Sequence, residues 1–233
     1  RFLTKVLKVP MIKIGSSEVT NHDFLKSIAK ENLPIIFSTG MSTLSEVQKS
    51  ISIMRKLTKK EIIILHCTTE YPAPYEEMNI RSMTTLEKKF KCRVGLSDHS
   101  KDDRVAITAI AAGAEVVEKH IALDKQKKGL DIEFSLKGKQ IKNFKKAINE
   151  TYQLLGKKKF YRVKSEEKSK IFRRSIFISQ DIKKGEKFSI NNIKRVRPSY
   201  GLPPIYYEKL LNKKSPTNLY KGNPLKKFIL KKL

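Results

Sequence analysis

Five short apolar runs divide the N-terminal part of the chain, and each has the near-continuous hydrophobic character of a strand buried on both faces. Helix-like segments follow them, and Thr43 with Glu46 has the spacing of a capping box at the start of one such helix. Ser100 with Asp103 is a looser version of the same signal. Alternating strands and helices predict an α/β fold with a parallel sheet. The runs cover residues 11–16, 35–39, 62–67, 93–97 and 115–121.

The number of these units points to part of a barrel. Eight strand–helix units close a (β/α)8 barrel of roughly 250 residues, whereas five are present before the pattern changes near residue 156. The chain also begins with Arg1 on what resembles the end of a helix. We therefore interpret residues 1–156 as the C-terminal five units of a TIM barrel whose N-terminal strands are missing. An open, doubly wound domain of five strands is the alternative, because the periodicity is compatible with both.

The remainder of the chain follows a different pattern. A charged linker covers residues 157–171, and residues 172–233 contain short alternating segments, a turn at 183–186 and a Pro- and Gly-rich stretch at 198–204. Short strands and turns without long helices predict a small, separate β-rich domain.

The composition limits the classes of partner. A formal charge of +27 suggests nucleic acid or an anionic membrane as a partner. However, the lysines are not accompanied by a basic groove with interleaved aromatic residues or by a known nucleic-acid motif. We expect solvated basic faces, no nucleic-acid partner, and at most an attraction for anionic substrates. The chain has no long uncharged apolar run, no signal-peptide pattern, and two Cys without metal-site spacing. These features predict a soluble, cytoplasmic protein with reduced thiols and no membrane partner.

Two histidines stand at equivalent places in successive units. His99 follows the fourth apolar run and His120 ends the fifth, with a helix-like stretch between them. In a parallel α/β fold this places both imidazoles at the carboxyl ends of neighbouring strands, where active sites are built. Two imidazoles can share one divalent metal ion. Each histidine alone could equally be hydrogen-bonded scaffolding, but the repeated position favours a shared site.

Further polar residues end the other predicted strands. Lysine and hydroxyl groups around one rim are suited to a phosphate or carboxylate, and two imidazoles beside them form a Lewis-acid centre. This combination suits a phosphorylated small acid and a carbonyl substrate that meet over a metal ion. The residues at this rim are Lys13, Ser16, Ser38, Thr39, Gly40, Thr68, Thr69, Glu70, Tyr71, Ser97, His99 and His120.

Several long segments resemble the sialic acid synthase family. They are KIGSSEVTN (13–21), FSTGMSTLSEV (37–47), HCTTEYPAPYEEMNIRSM (66–83), GLSDHS (95–100) and EKHIALD (118–124). The segments IKKGE (182–186) and RPSYGLPP (197–204) resemble the C-terminal antifreeze-like SAF domain of that family, a small β-clip domain. The motifs occur in order across nearly the whole chain.

The resemblance implies a metal-dependent condensation of phosphoenolpyruvate with the aldehyde of an N-acetylmannosamine-type sugar, which gives a nine-carbon 2-keto acid, N-acetylneuraminate, and phosphate. By motif, His99 and His120 would hold Mn²⁺, with Mg²⁺ or Co²⁺ as alternatives. Asp131 would act in catalysis by contacting sugar hydroxyls or the metal shell. Substrate binding would fall to Lys13, Ser16, Ser38, Thr69, Tyr71 and Ser97.

The resemblance also implies a quaternary structure. Arg197 would contact the N-acyl group of the sugar from the SAF domain of a partner subunit, so that a domain-swapped homodimer is expected. Relatives begin with strands that supply a glutamate and a lysine, which nothing here matches. A barrel without them would expose raw strand edges, and we therefore expect this chain alone to be inactive and poorly folded.

Two alternatives concern the substrate and the class of protein. The segment GLDIEFSL (129–136) favours pseudaminic acid synthases, whereas HCTTEYPAPYEE (66–77) favours N-acetylneuraminate or legionaminate synthases, so the exact sugar stays open. From a different class, the chain could be a binding module whose basic SAF-like domain docks an anionic polymer or lipid surface. That alternative predicts binding that weakens steeply with salt and does not depend on either histidine.

Overall fold

The computed structural model describes residues 2–232 and divides the chain into two compact units, with the division between Lys157 and Lys158. The linker predicted for residues 157–171 falls at the start of the second unit, where two short 3₁₀ helices, Lys164–Glu166 and Lys168–Phe172, interrupt it. None of the helices among these described residues is long and apolar enough to cross a membrane.

The first unit alternates strands and helices, as the apolar runs predict. The strands are β1 (Ile12–Ile14), β2 (Ile35–Ser38), β3 (Ile62–Cys67), β4 (Val94–Asp98), β5 (Val116–Lys119), β6 (Ile121–Ala122) and β7 (Leu136–Lys137). The helices are α1 (His22–Lys30), α2 (Leu44–Leu57), α3 (Ser82–Phe90), α4 (Arg104–Ala111) and α5 (Lys139–Leu155).

Strands β1 to β5 form one parallel sheet in the order β1-β2-β3-β4-β5. Each strand pairs with the next one in the chain, which is the winding of a (β/α) barrel. A doubly wound domain instead reverses its strand order at a switch point. The doubly wound alternative is therefore wrong for these five strands, and the fold of this unit is α/β with barrel-type winding.

The two faces of the sheet have different chemistry because side chains alternate along each strand. One face packs against α1 to α4 and forms the core, with Ile14, Phe37, Ile64 and Leu96 almost fully buried there. The alternate positions form the opposite face, which we call the inner face. It carries Lys13, Ser38, Cys67, Ser97 and Glu118.

The sheet curves toward its inner face. Strands in a sheet lie about 4.8 Å apart, so a flat sheet would separate β1 from β5 by roughly 19 Å. The side chains of Lys13 on β1 and Glu118 on β5 nevertheless meet, with 3.2 Å between Nζ and Oε1. The curvature brings the two edge strands within reach of each other and makes the inner face concave.

One of the two predicted helix starts is confirmed. Thr43 caps α2 in a complete capping box with Glu46. The looser box at Ser100 and Asp103 is wrong, because α4 begins at Arg104 and Asp103 makes no side-chain capping hydrogen bond. Ser100 instead donates its hydroxyl to the Asp102 carbonyl within the loop that follows β4.

The second unit is small and rich in turns, as the sequence predicts. Strands β8 (Ser175–Ile178) and β9 (Ile193–Val196) pair antiparallel, and α6 (Tyr207–Leu210) is a single short helix. Residues 183–186 form the predicted turn, in which Gly185 adopts a φ of +86° that favours glycine. Buried side chains such as Ile176, Phe188 and Leu225 give this unit a core of its own.

Candidate active site

The structure gathers most of the predicted site residues at one end of the inner face. Ser97 on β4 lies opposite Cys67 on β3 and opposite Glu118 on β5. His99 and His120 continue the same alternation just past the carboxyl ends of β4 and β5, and their ring centroids are 5.2 Å apart. The prediction that the two histidines meet at neighbouring strand ends is therefore confirmed by the geometry.

A carboxylate that the sequence analysis did not select lies at the centre of this site. Glu118 pairs with the Lys13 ammonium at 3.2 Å and accepts a 2.7 Å hydrogen bond from the Ser97 hydroxyl. Lys13 and Ser97 come from strands that are three positions apart in the sheet, so Glu118 links opposite sides of the concave face. The signal in the sequence was its place two residues before His120, which puts both side chains on one face of a strand.

Both imidazoles use Nδ1 to contact an oxygen atom. His99 Nδ1 lies 3.0 Å from the Thr68 carbonyl oxygen, which can only accept a hydrogen bond. His120 Nδ1 lies 3.3 Å from Asp131 Oδ2. Because these oxygens favour a proton on Nδ1, each neutral ring keeps its free lone pair on Nε2, the tautomer that metal ligation through Nε2 requires.

The two histidines could hold a divalent metal ion that keeps some of its coordination positions free of protein ligands. Two imidazole nitrogens are donors that Mn²⁺, Co²⁺ and related ions accept, and the nearby Asp131 carboxylate contacts Nδ1 of His120. Among residues 2–232, no group of three or more His, Cys, Asp or Glu side chains is arranged to hold a metal ion. An ion held by the two histidines would therefore keep positions for water or substrate oxygens.

Aromatic side chains cover the two imidazoles. The Tyr71 ring centroid is 4.3 Å from that of His99, and the Phe134 centroid is 5.1 Å from that of His120. Tyr71 and Phe134 also contact each other, with centroids 5.6 Å apart. Burial and the negative charges of Cys67, Asp131 and Glu118 raise the pKa of Tyr71, so its phenol stays protonated. Tyr71 was predicted to line this pocket, whereas nothing in the sequence singled out Phe134.

The predicted residues Ser16 and Thr69 surround a tight backbone approach. The Ser16 hydroxyl accepts a 2.9 Å hydrogen bond from the Gly40 N–H. A Cβ atom at Gly40 would lie 1.9 Å from Thr69 Oγ1 and 3.1 Å from Cys67 Sγ, so only glycine fits at this position. The loop after β2 thus passes close to the Ser16 hydroxyl, which follows β1, and to the Thr69 hydroxyl, which follows β3.

The two histidines have different electrostatic environments. Burial lowers the pKa of His99, but the hydrogen bonds to Cys67 and to the Thr68 carbonyl, with the negative charge of Cys67, outweigh it and raise the pKa overall. Burial and the positive charge of His99 lower the pKa of His120. The pKa of the Cys67 thiol is lowered because hydrogen bonds from His99, Ser16 and Thr69 outweigh the raising effect of burial. The surroundings therefore push the pKa values of the two imidazoles apart.

One buried hydroxyl has no hydrogen-bond partner within the described part of the chain. Ser38 is only 2% exposed, and its Oγ is the single such side-chain atom found there. Buried polar groups in native proteins are almost always satisfied, and an exception calls for an explanation. Ser38 is among the residues predicted to bind an anion, which would supply the missing acceptor.

The last predicted residue lies in the second unit. Arg197 is exposed and lines a cavity of about 600 Å³ together with Arg173 and Arg174 of the same unit. The structure thus brings together the predicted residues of the first unit, and Arg197 belongs to the second unit. Its role as a contact for the sugar N-acyl group stays a prediction.

Two family models match this chain. That of the NeuB family covers residues 1–160, and that of the SAF domain covers residues 173–227. Together they cover the alternating α/β unit and most of the β-rich unit.

Named relatives match the chain over most of its length. It is 40% identical to the pseudaminic acid synthase of Campylobacter jejuni over 214 residues, which is 92% of this chain and 62% of that protein. It is also 40% identical to the N,N'-diacetyllegionaminic acid synthase of the same organism, over 96% of this chain and 67% of that protein. The chain thus spans about three fifths to two thirds of the length of these relatives.

A solved structure of a sugar-acid synthetase is also similar to this chain, in sequence and in fold. The N-acetylneuraminic acid (sialic acid) synthetase of Leptospira borgpetersenii, determined in complex with citrate, is 32% identical and superposes with a TM-score of 0.66. The match covers 71% of this chain and 57% of that one.

Proposed function

Because the chain belongs to the NeuB family, we propose that it takes part in sugar-acid synthesis, with a site that joins phosphoenolpyruvate to the aldehyde carbon of an N-acylated amino sugar. The products would be a nine-carbon 2-keto acid and inorganic phosphate. One observation carries this proposal: two imidazoles with free Nε2 atoms lie beside an ammonium–carboxylate–hydroxyl chain at the carboxyl end of one curved sheet.

A divalent ion bound by His99 and His120 would polarise the aldehyde oxygen and make its carbon more electrophilic. Asp131 would keep the His120 ring in its ligating orientation, since its Oδ2 lies 3.3 Å from Nδ1. The Thr68 carbonyl performs the same task for His99.

The remaining groups are suited to an anionic substrate. The Lys13 ammonium and the Ser38, Ser97 and Ser16 hydroxyls would bind the phosphate and carboxylate oxygens by charge-assisted hydrogen bonds. Glu118, between Lys13 and Ser97, is placed to accept the proton of the water that adds to the enol carbon. Tyr71 and Phe134 would exclude bulk water, which strengthens each of these interactions.

The acceptor sugar is the finer part of the proposal. The sequence motifs pointed first to N-acetylneuraminate synthesis, with pseudaminic and legionaminic acids as alternatives. The two relatives at 40% identity carry the names of the alternatives, whereas the N-acetylneuraminic acid synthetase is 32% identical. We therefore favour a diacetamido sugar as acceptor. Closure into an eight-stranded barrel, the domain-swapped dimer through Arg197 and the inactivity of this chain alone stay predictions.

The test measures binding and turnover separately. Calorimetry would give the affinity of the chain for phosphoenolpyruvate with and without Mn²⁺. Phosphate release would then be measured with N-acetylmannosamine and with the amino-sugar precursors of pseudaminic and N,N'-diacetyllegionaminic acids. We expect Mn²⁺ to tighten phosphoenolpyruvate binding and one diacetamido precursor to give the highest rate if the chain turns over.

Two variants serve as probes. His99→Ala should abolish Mn²⁺ uptake, whereas His22→Ala provides the matched control because His22 is the first residue of α1 and is not one of the site residues. Absence of phosphoenolpyruvate binding in the parent chain at millimolar concentration would refute the proposed site, whatever the turnover.

A further inference from the structure

A buried ion pair lies directly behind the two histidines. Lys119 Nζ and Asp98 Oδ2 are 2.9 Å apart, and their side chains are 3% and 0% exposed. Asp98 precedes His99 and Lys119 precedes His120 in the sequence. Since side chains alternate across a strand, the ion pair points to the helix-packed face while the imidazoles point to the inner face.

The hydrogen bonds of this pair are almost completely satisfied by the loop that follows β4. The Lys119 ammonium contacts the Ser100 carbonyl, the Ser100 hydroxyl at 3.4 Å and the Asp102 carbonyl at 3.5 Å. Asp98 Oδ1 accepts a 2.8 Å hydrogen bond from the Ser100 N–H. A buried charge pair is tolerated only with such additional partners.

The pair is also the last lateral connection between the two strands. The register of β4 and β5 ends at Asp98 opposite Lys119, so both histidines lie one residue past the final paired position. Beyond it, their backbones are held by different partners, because the His99 carbonyl accepts from the Ala73 N–H and the His120 carbonyl accepts from the Leu136 N–H. The backbone ladder therefore pairs the residues that precede the two histidines, but not the histidines themselves.

We propose that Asp98 and Lys119 are positioning residues that set the separation and orientation of His99 and His120 for metal binding. The proposal rests on the proposed function, in which the two histidines are metal ligands. A positioning role and a purely structural role predict different losses when the charges are removed: the first predicts a loss of metal affinity, and the second a loss of stability. A buried ion pair can often be replaced by neutral side chains at little cost in stability, whereas groups that orient metal ligands affect affinity by about 10- to 100-fold.

The test uses the Asp98→Asn/Lys119→Met double variant, which removes both charges together. We expect its melting temperature to stay within about 4 °C of the parent, while its Mn²⁺ affinity, measured by electron paramagnetic resonance, falls about 10- to 100-fold. In the metal-free chain, the imidazole ¹⁵N signals of both His99 and His120 should shift.

The chain contains a matched control between the same two strands. Arg93 and Glu115 pair at 2.8 Å at the opposite ends of β4 and β5, and both side chains are half exposed. The Arg93→Met/Glu115→Gln variant should leave both the Mn²⁺ affinity and the imidazole signals unchanged.

Each outcome decides the proposal. A folded double variant with parental Mn²⁺ affinity and unshifted imidazole signals would overturn it. If the parent itself takes up no Mn²⁺, the metal centre of the proposed function fails, and the imidazole signals alone then decide whether the pair positions the histidines. If the double variant does not fold, Asp98→Asn alone is tested for Mn²⁺ affinity and imidazole signals in the same way. This substitution keeps the shape of the side chain and an acceptor for the Ser100 N–H.

Discussion

Replacing Ser38 by alanine should stabilise the free protein and weaken anion binding. Ser38 Oγ is buried without a hydrogen-bond partner in the described part of the chain, and such a group costs about 1–3 kcal/mol. Alanine removes that group and leaves space for no more than one oxygen atom. We expect the free energy of unfolding to rise by about 1 kcal/mol, which corresponds to roughly 2–4 °C in melting temperature.

The same substitution should weaken phosphoenolpyruvate binding. A hydrogen bond to a charged group contributes about 1.5–3 kcal/mol, so the Kd should increase roughly 10- to 150-fold. Thermal unfolding without ligand and calorimetry with phosphoenolpyruvate and Mn²⁺ would measure the two effects. Opposite signs in the two assays are the expected signature of a polar group kept for a ligand.

Ser50 provides the matched control, because it is equally buried but fully bonded. Its hydroxyl lies 2.5 Å from the Val19 carbonyl and 3.0 Å from the Glu46 carbonyl. Ser50→Ala should lower the free energy of unfolding by about 1–2 kcal/mol and leave phosphoenolpyruvate affinity unchanged. The reasoning is refuted if Ser38→Ala is as destabilising as Ser50→Ala and binds phosphoenolpyruvate like the parent.

Two further predictions concern β4 and the loop that follows it. Gly95→Ala should destabilise the protein by about 1–3 kcal/mol in denaturant unfolding, because the new Cβ would lie 2.2 Å from the Val116 carbonyl oxygen. Gly15→Ala is the control: its Cβ would meet no atom closer than 3.9 Å, so it should leave the stability unchanged. Asp102→Asn should reduce stability near neutral pH, because hydrogen bonds from Arg104 lower the pKa of this carboxyl to about 2. Its folded pKa lies below the unfolded value, so the contribution is present above about pH 4 and disappears as the pH falls through about 2. Unfolding of parent and variant across pH 2–6 checks this, and equal loss at every pH would contradict it.

The fold and the histidine pair could be predicted because they depend on local pattern. The run 62–67 coincides with β3, since a continuous apolar segment can be satisfied only by burial on both faces. His99 and His120 were predictable for the same reason, because parallel strands end at a common edge. The helix start at Ser100 was predicted wrongly because the neighbouring polar groups are used by Lys119, a residue distant in sequence.

The missed residues depend on contacts that no local pattern contains. Phe134 reaches His120 from a loop between β6 and β7 that has no periodic signal. Glu118 was visible as a neighbour of His120, but its partner Lys13 is on the far edge of the sheet, and only the curvature of the sheet brings them together. Sequence pattern predicts which face a side chain occupies, whereas its partner across a sheet depends on the shape of the whole sheet.

That curvature also explains how one sheet supports both a core and a polar site. In a flat five-stranded sheet Lys13 and Glu118 would be roughly 19 Å apart, and each charge would lie on a largely apolar face without a partner. Curvature lets the two charges pair at 3.2 Å and lets Ser97 join them. The inner face therefore carries charged side chains that remain partly exposed. On the helix-packed face, Asp98 and Lys119 are buried and paired with each other. Because the inner-face groups at the strand ends keep lone pairs and donors available, we place the proposed substrate chemistry on that face, and we assign to the buried pair behind it the positioning of the histidines.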